Sequence, residues 1–249
     1  MHGALIVFVA GLIAGAMNAA AGGGSFVSVP TLIYAGVPSV SANMSSTIAL
    51  YPGSLASAWA YRKNFGPILN IPVKALFFTT LIGGFAGALL LLFTPSHSFD
   101  KILPWLLLLG SLAFAFGGTI GARLAKHYQP KKIYILLAQF VLGVYGGYFG
   151  GAVGIMMLAM WTMLGLEDIR AMNAIKVVLV AAANTIAVIC FAVAGTVAWR
   201  QTAIMLVAAA TGGYLGAHLA MRLKPSRIRI AISVLNFVIT GLFFYFRFF

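Results

Sequence analysis

The amino-acid sequence points to an all-α polytopic membrane protein made of two inverted-topology repeats, on the strength of its composition, its charge-free runs and its similarity to itself. Of its 249 residues 62% are hydrophobic and only 8% are charged, where soluble domains carry about 25% charged residues. So few charges cannot clothe a water-exposed surface. Runs without Asp, Glu, Lys or Arg cover residues 1–61, 75–99, 102–122, 133–166, 177–199, 201–221 and 230–246. Most of these reach the roughly 20 residues that a helix needs to cross a bilayer. No stretch alternates apolar and polar residues over the ~10-residue segments of a transmembrane barrel.

Sliding the chain on itself by 129 residues superposes Gly22 on Gly151, Gly36 on Gly165, Gly66 on Gly195, Gly83 on Gly212, Gly84 on Gly213 and Gly87 on Gly216. Nine glycines in residues 22–88 and seven in 151–217 would give about one coincidence by chance, so the six found mark an internal repeat. Ala42, Leu50, Ala58 and Ala88 also meet their own kind at Ala171, Leu179, Ala187 and Ala217. A three-residue gap before Gly22 would bring Gly11 and Gly15 onto Gly143 and Gly147. The halves are expected to be residues 1–127 and 128–249, within one transmembrane domain.

Each half follows one series of elements. Residues 3–20 form an apolar helix that runs into the break Asn18-Ala19-Ala20-Ala21-Gly22-Gly23-Gly24-Ser25. Its small residues suit a signal peptide, but its only basic candidate is His2 and a related segment recurs later, so it is expected to be retained. The apolar segment 25–36 ends in a turn at Gly36 and Pro38, and the helix 40–61 opens on Asn43, Ser45, Ser46 and Thr47. Pro72 starts a helix over 72–94, and Lys101 and Arg123 bracket another over 102–122. In the second half, 133–149 leads into the break Gly146-Gly147-Tyr148-Phe149-Gly150-Gly151-Ala152-Val153-Gly154 and the short segment 152–164. Helices over 170–193, 201–221 and 229–247 complete the chain. The short segments, about 12 or 13 residues each, span only ~18 to 20 Å at helical rise, less than the ~30 Å hydrocarbon core. Irregular backbone at that depth survives only where protein or a wet cavity satisfies it. Pro30, Pro52 and Pro104 would loosen their helices locally.

The 16 basic and 3 acidic residues give a net charge of +13, which in a soluble chain would suggest nucleic acid. Here eleven basic residues fall in 62–74, 123–132 and 222–229. Placing these three loops in the cytoplasm obeys the positive-inside rule and leaves Lys101, Arg200 and Arg247 opposite. Residues 191–203, the repeat partner of 62–74, then lie outside, so the halves are inverted. No nucleic-acid motif is present; the partners expected are the lipid bilayer of the cell inner membrane and a small anionic substrate. A lone Cys190 excludes an intramolecular disulfide and any cysteine-based metal cluster.

Inverted repeats with broken helices are typical of secondary transporters, whose site lies at the midplane between the repeats. Half-helices beginning after each break would aim free N–H groups and a positive dipole end into it, which suits an anion. The candidate binding residues are Asn18, Gly22, Gly23, Gly24 and Ser25 at the first break, and Gly150, Gly151 and Gly154 at the second. Helix openings add Asn43, Ser45, Ser46 and Thr47, then Asn173, Lys176 and Asn184. Lys176 is the sharpest of these, since an ionisable residue seven positions into an apolar helix commonly faces a polar interior; snorkelling to the interface is the competing reading. The polar residues can equally cap helices or bond backbone carbonyls, and the GxxxG spacings at Gly11, Gly83, Gly117 and Gly212 suit close helix packing.

Asp100, Glu167 and Asp168 all lie in loops, leaving no intramembrane carboxylate for sodium or protons. His218 is read as a hydrogen-bonding group within the bundle rather than a proton carrier. An anion leaving an inside-negative cell gains ~2.3 kcal/mol per charge per 100 mV, so export needs no coupling ion. No metal or other cofactor is expected. An enzyme is not expected either, because GxSxG and HExxH are absent and no nucleophile and base pair stands out. An anion channel, a membrane scaffold and an intramembrane enzyme are the alternatives to a transporter.

The stretch Gly22-Gly23-Gly24-Ser25-Phe26-Val27-Ser28-Val29-Pro30, the turn Gly36-Val37-Pro38 and the opening Ala42-Asn43-Met44-Ser45-Ser46 resemble the pattern of the sulfite exporter TauE/SafE family. The resemblance covers nearly the whole chain. The second half departs from the pattern: Gly150-Gly151-Ala152-Val153-Gly154 lacks the triple glycine, Ala159 stands at the proline position, and Asn173-Ala174-Ile175-Lys176 replaces the Thr-Ser version. The resemblance implies export or exchange of sulfur-containing or small organic anions such as sulfite, sulfonates or related carboxylates.

Overall fold

The computed structural model describes residues 2–20, 22–61, 71–124, 131–164, 166, 169–222 and 225–248. Its regular elements are ten helices: α1 (His2–Ala20), α2 (Ser25–Tyr34), α3 (Ser39–Tyr61), α4 (Val73–Leu92), α5 (Ser96–Leu124), α6 (Lys132–Tyr148), α7 (Val153–Met163), α8 (Ile169–Ala194), α9 (Trp199–Arg222) and α10 (Pro225–Phe248). The chain is an all-α polytopic membrane protein. Among the described residues, α1, α4, α5, α8 and α10 each contain a stretch long and apolar enough to cross a bilayer. α3 is long enough but carries a polar first half. The short α2 and α7, with 10 and 11 residues, reach only about half of the ~30 Å core at helical rise. Of the expected cytoplasmic loops, residues 62–70, 125–130 and 223–224 lie outside the described residues, as do Glu167 and Asp168, while 225–229 form the start of α10 rather than a loop.

Helix neighbours come in exchanged pairs. α1 packs on α9 as α6 packs on α4, α2 on α10 as α7 on α5, and α3 on α9 as α8 on α4; α3 also packs on α8, and α5 on α10. Small residues draw the closest of these together, because without a side chain two backbones can touch. A methyl group at Gly212 would strike the Leu12 carbonyl and one at Gly83 the Phe140 carbonyl; Gly216 and Gly87 similarly abut Ala16 and Val144. These contacts relate α1 to α6 by a shift of 128 residues, Leu12 answering to Phe140 and Ala16 to Val144. Gly15 therefore answers to Gly143, and the gap expected from the glycine match to Gly147 is corrected by one helical turn. At the α5–α10 contact, Ser111 Oγ and Thr240 Oγ1 lie 3.1 Å apart, in residues separated by the same 129 positions as the glycine match.

Both breaks use left-handed backbone. Gly22 and Gly23 have φ of +84° and +91°, and the Gly22 N–H closes α1 by donating to the Met17 and Asn18 carbonyls. In the second break Gly150 has φ +78° and Ala152 φ +61°, the one non-glycine in this region among the described residues, which costs about 1 to 2 kcal/mol.

The largest apolar cluster joins the two halves. Phe26 and Val29 of α2, Met44 and Ile48 of α3, Phe99 and Leu103 of α5, Tyr148 and Phe149, and Ala187 and Phe191 of α8 are all buried in it. Phe26 and Phe149 meet edge to face at 6.3 Å, and Tyr145 adds a second such contact to Phe149 at 6.0 Å.

Candidate functional site

α3 and α8 run antiparallel past each other. Asn184 donates to Ser54 at 3.2 Å, Tyr51 and Thr185 share a hydroxyl bond of 2.8 Å, and Thr196, just beyond α8, reaches the Met44 sulfur at 3.2 Å, so partners along and after α8 rise as those on α3 fall. The first half of α3 and the second half of α8 sit in the aromatic cluster. Between their other ends lies a gap that both helix breaks also line.

A cavity of about 260 Å³ occupies that gap. Asn18, Ala19, Ala20, Gly22 and Gly23 supply its wall from the first break; Gly150, Ala152 and the opening turn of α7 supply the wall from the second. α3 contributes Ser54 and Ser57, and α8 contributes Asn173, Lys176, Val177 and Val180. The α8 residues fall at helical spacing on one face. Among the described residues no acidic side chain lines the cavity and no cluster of metal ligands exists.

Lys176 is the charged member of the lining. Its ammonium donates to Asn173 Oδ1 at 2.8 Å, one turn earlier on α8. Its stem lies against α7, where a Cβ on Gly154 would stand 3.1 Å from Lys176 Cδ and 3.3 Å from Val180 Cγ2. Gly154 is thus the notch that lets the lysine run along the start of α7. That helix start presents N–H groups lacking carbonyl partners one turn back, a favourable neighbour for negative charge. Asn18 holds the opposite wall, its amide 3.9 Å from where a Gly53 Cβ would sit.

Of the sequence-selected residues, Asn18, Gly22, Gly23, Gly150, Gly154, Asn173 and Lys176 come together in this one cavity. Asn184 stands behind it and fixes Ser54. The opening of α3 goes elsewhere. Asn43 is 1% exposed and donates to the Tyr148 carbonyl at 2.9 Å, tying α3 to the end of α6. Ser46 shares a 2.6 Å bond with Ser28, which itself bonds the Gly24 carbonyl. Ser45 accepts the Ala198 N–H at 3.0 Å, and Thr47 returns its hydroxyl to the Asn43 carbonyl. Gly24 and Gly151 are packing positions, facing the Ala14 carbonyl and the Phe149 ring. Ser25 opens α2 outside the lining. His218 is exposed and bonds the Tyr214 carbonyl of its own helix, rather than crossing the bundle.

Ser54, Ser57, Val177 and Val180 escaped the sequence reading. Two signals could have found them: Ser54 and Ser57 are one helical turn apart just after Pro52, and Asn173, Lys176, Val177 and Val180 fit the i, i+3, i+4, i+7 stripe.

The chain resembles known proteins over almost its full length. A probable membrane transporter protein of Haemophilus influenzae is 29% identical over 238 residues, covering 95% of this chain and 92% of the relative. The probable membrane transporter protein YfcA of Escherichia coli K12 is 27% identical over 246 residues, 96% of this chain and 89% of its own. The probable membrane transporter protein ORF9 of a Sinorhizobium species is 26% identical over 241 residues, with 94% and 91% covered. No solved structure matches the chain. The model of the family described as sulfite exporter TauE/SafE matches residues 7–243, and this multi-pass membrane protein therefore belongs to the sulfite exporter TauE/SafE family.

Proposed function

We propose that the protein is a secondary transporter of the cell inner membrane that exports small sulfur-containing or organic anions by alternating access. The observation that carries this reading is a cavity built from both helix breaks and holding Lys176, with no acid among the described residues that line it. The exchanged helix contacts, together with the Ser111–Thr240 pair, support two repeats related by a pseudo-twofold axis. Their inversion is supported by the loop charges, which place 62–74, 123–132 and 222–229 in the cytoplasm. On that orientation the cavity faces the cytoplasm, near the end of α3 and the start of α8. The Phe26–Phe149 cluster seals the opposite side. A sealed cluster suits a carrier, which exposes its site to one face at a time, better than a pore.

The family and the names of the relatives favour transport over catalysis. Purified protein in anion-loaded vesicles tests the proposal: the wild type shows saturable efflux, and Lys176→Met loses it while keeping its thermal midpoint. Normal efflux from a folded Lys176→Met protein removes the lysine from the mechanism. Single-channel currents with unsaturable flux would replace the carrier with a channel.

A further inference from the structure

We infer that the half of α3 after Pro52 is a movable wall of the site with two resting places, against α8 as it stands here and against α9 at Gly213. This rests on the transport reading and names the element that moves. Two matched glycines lead to it. Gly84 on α4 and Gly213 on α9 coincide in the 129-residue match, yet their surroundings differ. A Cβ on Gly84 would stand 3.1 Å from Ala183 Cα, 3.3 Å from Ala183 Cβ and 3.2 Å from an Ile186 methyl, all on α8. Among the described residues, a Cβ on Gly213 would meet the Gly15 backbone of α1 at 3.6 Å and no atom of α3 within 4 Å. A second cavity, of about 450 Å³, lies there instead, with Pro52, Gly53, Ala56 and Ser57 on the α3 side and Ala210 and Gly213 on the α9 side. Thus α8 is closed on α4, whereas this half of α3 stands open from α9.

The residues of α3 that match Ala183 and Ile186 are Ser54 and Ser57, both in the lining that holds Lys176. What closes on Gly213 is therefore the α3 wall of the site. Its hinge is Pro52 and Gly53, which stand where α8 has Ala181 and Ala182. Pro52 has no N–H for the Ile48 carbonyl one turn back, and the glycine beside it frees the backbone further. Both are exposed, while Ala181, Ala182 and Ala183 are buried. Before the hinge, Asn43, Ser45 and Ser46 bond α3 to Tyr148, Ala198 and Ser28. After it, the Asn184–Ser54 bond ties α3 to α8. Small residues on both sides of the second cavity let α3 and α9 meet without collision. Closing exchanges the Ser54 bond for that contact. Ser54 and Ser57 then leave Lys176, so the site is remade as the second cavity is filled, a change between two discrete packings.

The test traps the second resting place in the full-length chain, reconstituted in anion-loaded vesicles. Ser54→Cys and Gly213→Cys are combined in a Cys190→Ala background. With α3 closed, their Cβ atoms take the places of Ala183 and Gly84, 3.3 Å apart, close to the ~3.5–4.5 Å that a disulfide spans. Mild oxidation is expected to bridge the pair and stop efflux, and a reductant to restore it. Pro52→Ala returns an N–H to the Ile48 carbonyl and is expected to slow bridging about fivefold, the effect of one backbone hydrogen bond. Without cysteines, Gly213→Leu wedges the open space: the thermal midpoint is kept and efflux is lost, whereas Gly84→Leu at the closed contact lowers the midpoint. Absence of bridging, bridging that Pro52→Ala leaves unchanged, or full efflux from the bridged protein overturns the inference. So does a Gly213→Leu protein that transports normally or loses as much stability as Gly84→Leu. Each of these leaves the transport reading standing as long as the wild type shows saturable efflux. Bridging in a chain whose wild type moves no anion removes the transport reading and leaves the moving wall.

Discussion

The openings of α3 and α8 occupy equivalent places in the 129-residue match, with Thr47 aligned to Lys176, yet the protein uses them in opposite ways. Asn43, Ser45 and Ser46 are buried, and their side chains bond the ends of other elements: the Tyr148 carbonyl, the Ala198 N–H and the Ser28 hydroxyl. Asn173 and Lys176 are half-buried, bond each other and look into a cavity. Polar residues at the start of a helix can thus serve as joints at one opening and line a cavity at the other. The surroundings decide between these uses. At the first opening, aromatic side chains of α2 and the second break fill the space; at the second, glycines and alanines leave it open.

Substitutions that exchange the two roles sharpen this contrast. The largest effect is expected from Thr47→Lys, which copies the lysine into the packed opening. Thr47 is half-buried and lies outside the cavity lining, so an unpaired ammonium there is desolvated without a wet space to enter and the variant should lose stability in the membrane; normal yield and an unchanged thermal midpoint would show that the space beside α3 is wet. Next comes Asn43→Leu, which strands the buried Tyr148 carbonyl. A loss of about 1 to 3 kcal/mol in stability is expected, read as a lower thermal midpoint in detergent. Its counterpart Asn173→Ala should leave the midpoint nearly unchanged and weaken anion binding about fivefold, the worth of one hydrogen bond of about 1 kcal/mol. A fall in midpoint comparable to that of Asn43→Leu would make Asn173 a joint as well. The smallest effect belongs to Ser57→Ala. Its hydroxyl is returned to the Gly53 carbonyl of its own helix, so stability should change by less than about 0.5 kcal/mol.

Much of the fold was written in the chain's periodicity and punctuation. Pro72, Arg123 and Lys131 fall at helix ends because charge and proline are poorly tolerated within an apolar span, and the ten helices lie close to the expected segments, whereas Asp100 and Lys101, expected in a loop, lie in the second turn of α5. The 129-residue match rests on glycines because a backbone that must touch another backbone cannot carry a side chain, and Gly83, Gly87, Gly212 and Gly216 each make such a contact. The same property misled the reading of α1. Two small residues a turn apart are interchangeable in a sequence match, and only the contacts of Leu12 and Ala16 distinguish Gly143 from Gly147 as the equivalent of Gly15. For the site, Lys176 and the glycine breaks were legible since charge and chain breaks are rare in a bilayer. The division of polar residues between cavity and joint was not, because Asn43 and Asn173 are chemically alike and differ only in what lies opposite. Nor could the sequence single out Val177 and Val180 among many valines before their place on the Lys176 face was known.

Thiol protection at position 57 examines the cavity most directly. In a Cys190→Ala background, a cysteine replacing Ser57 is treated with a small water-soluble thiol reagent, with and without propanesulfonate, and compared with a cysteine replacing Ser46. Rapid labelling at 57, slowed by the anion only while Lys176 is present, together with negligible labelling at 46, is the result expected of a wet, lysine-bearing site between the two breaks. Equal labelling at both positions, or labelling at 57 that the anion leaves unaffected, would contradict it.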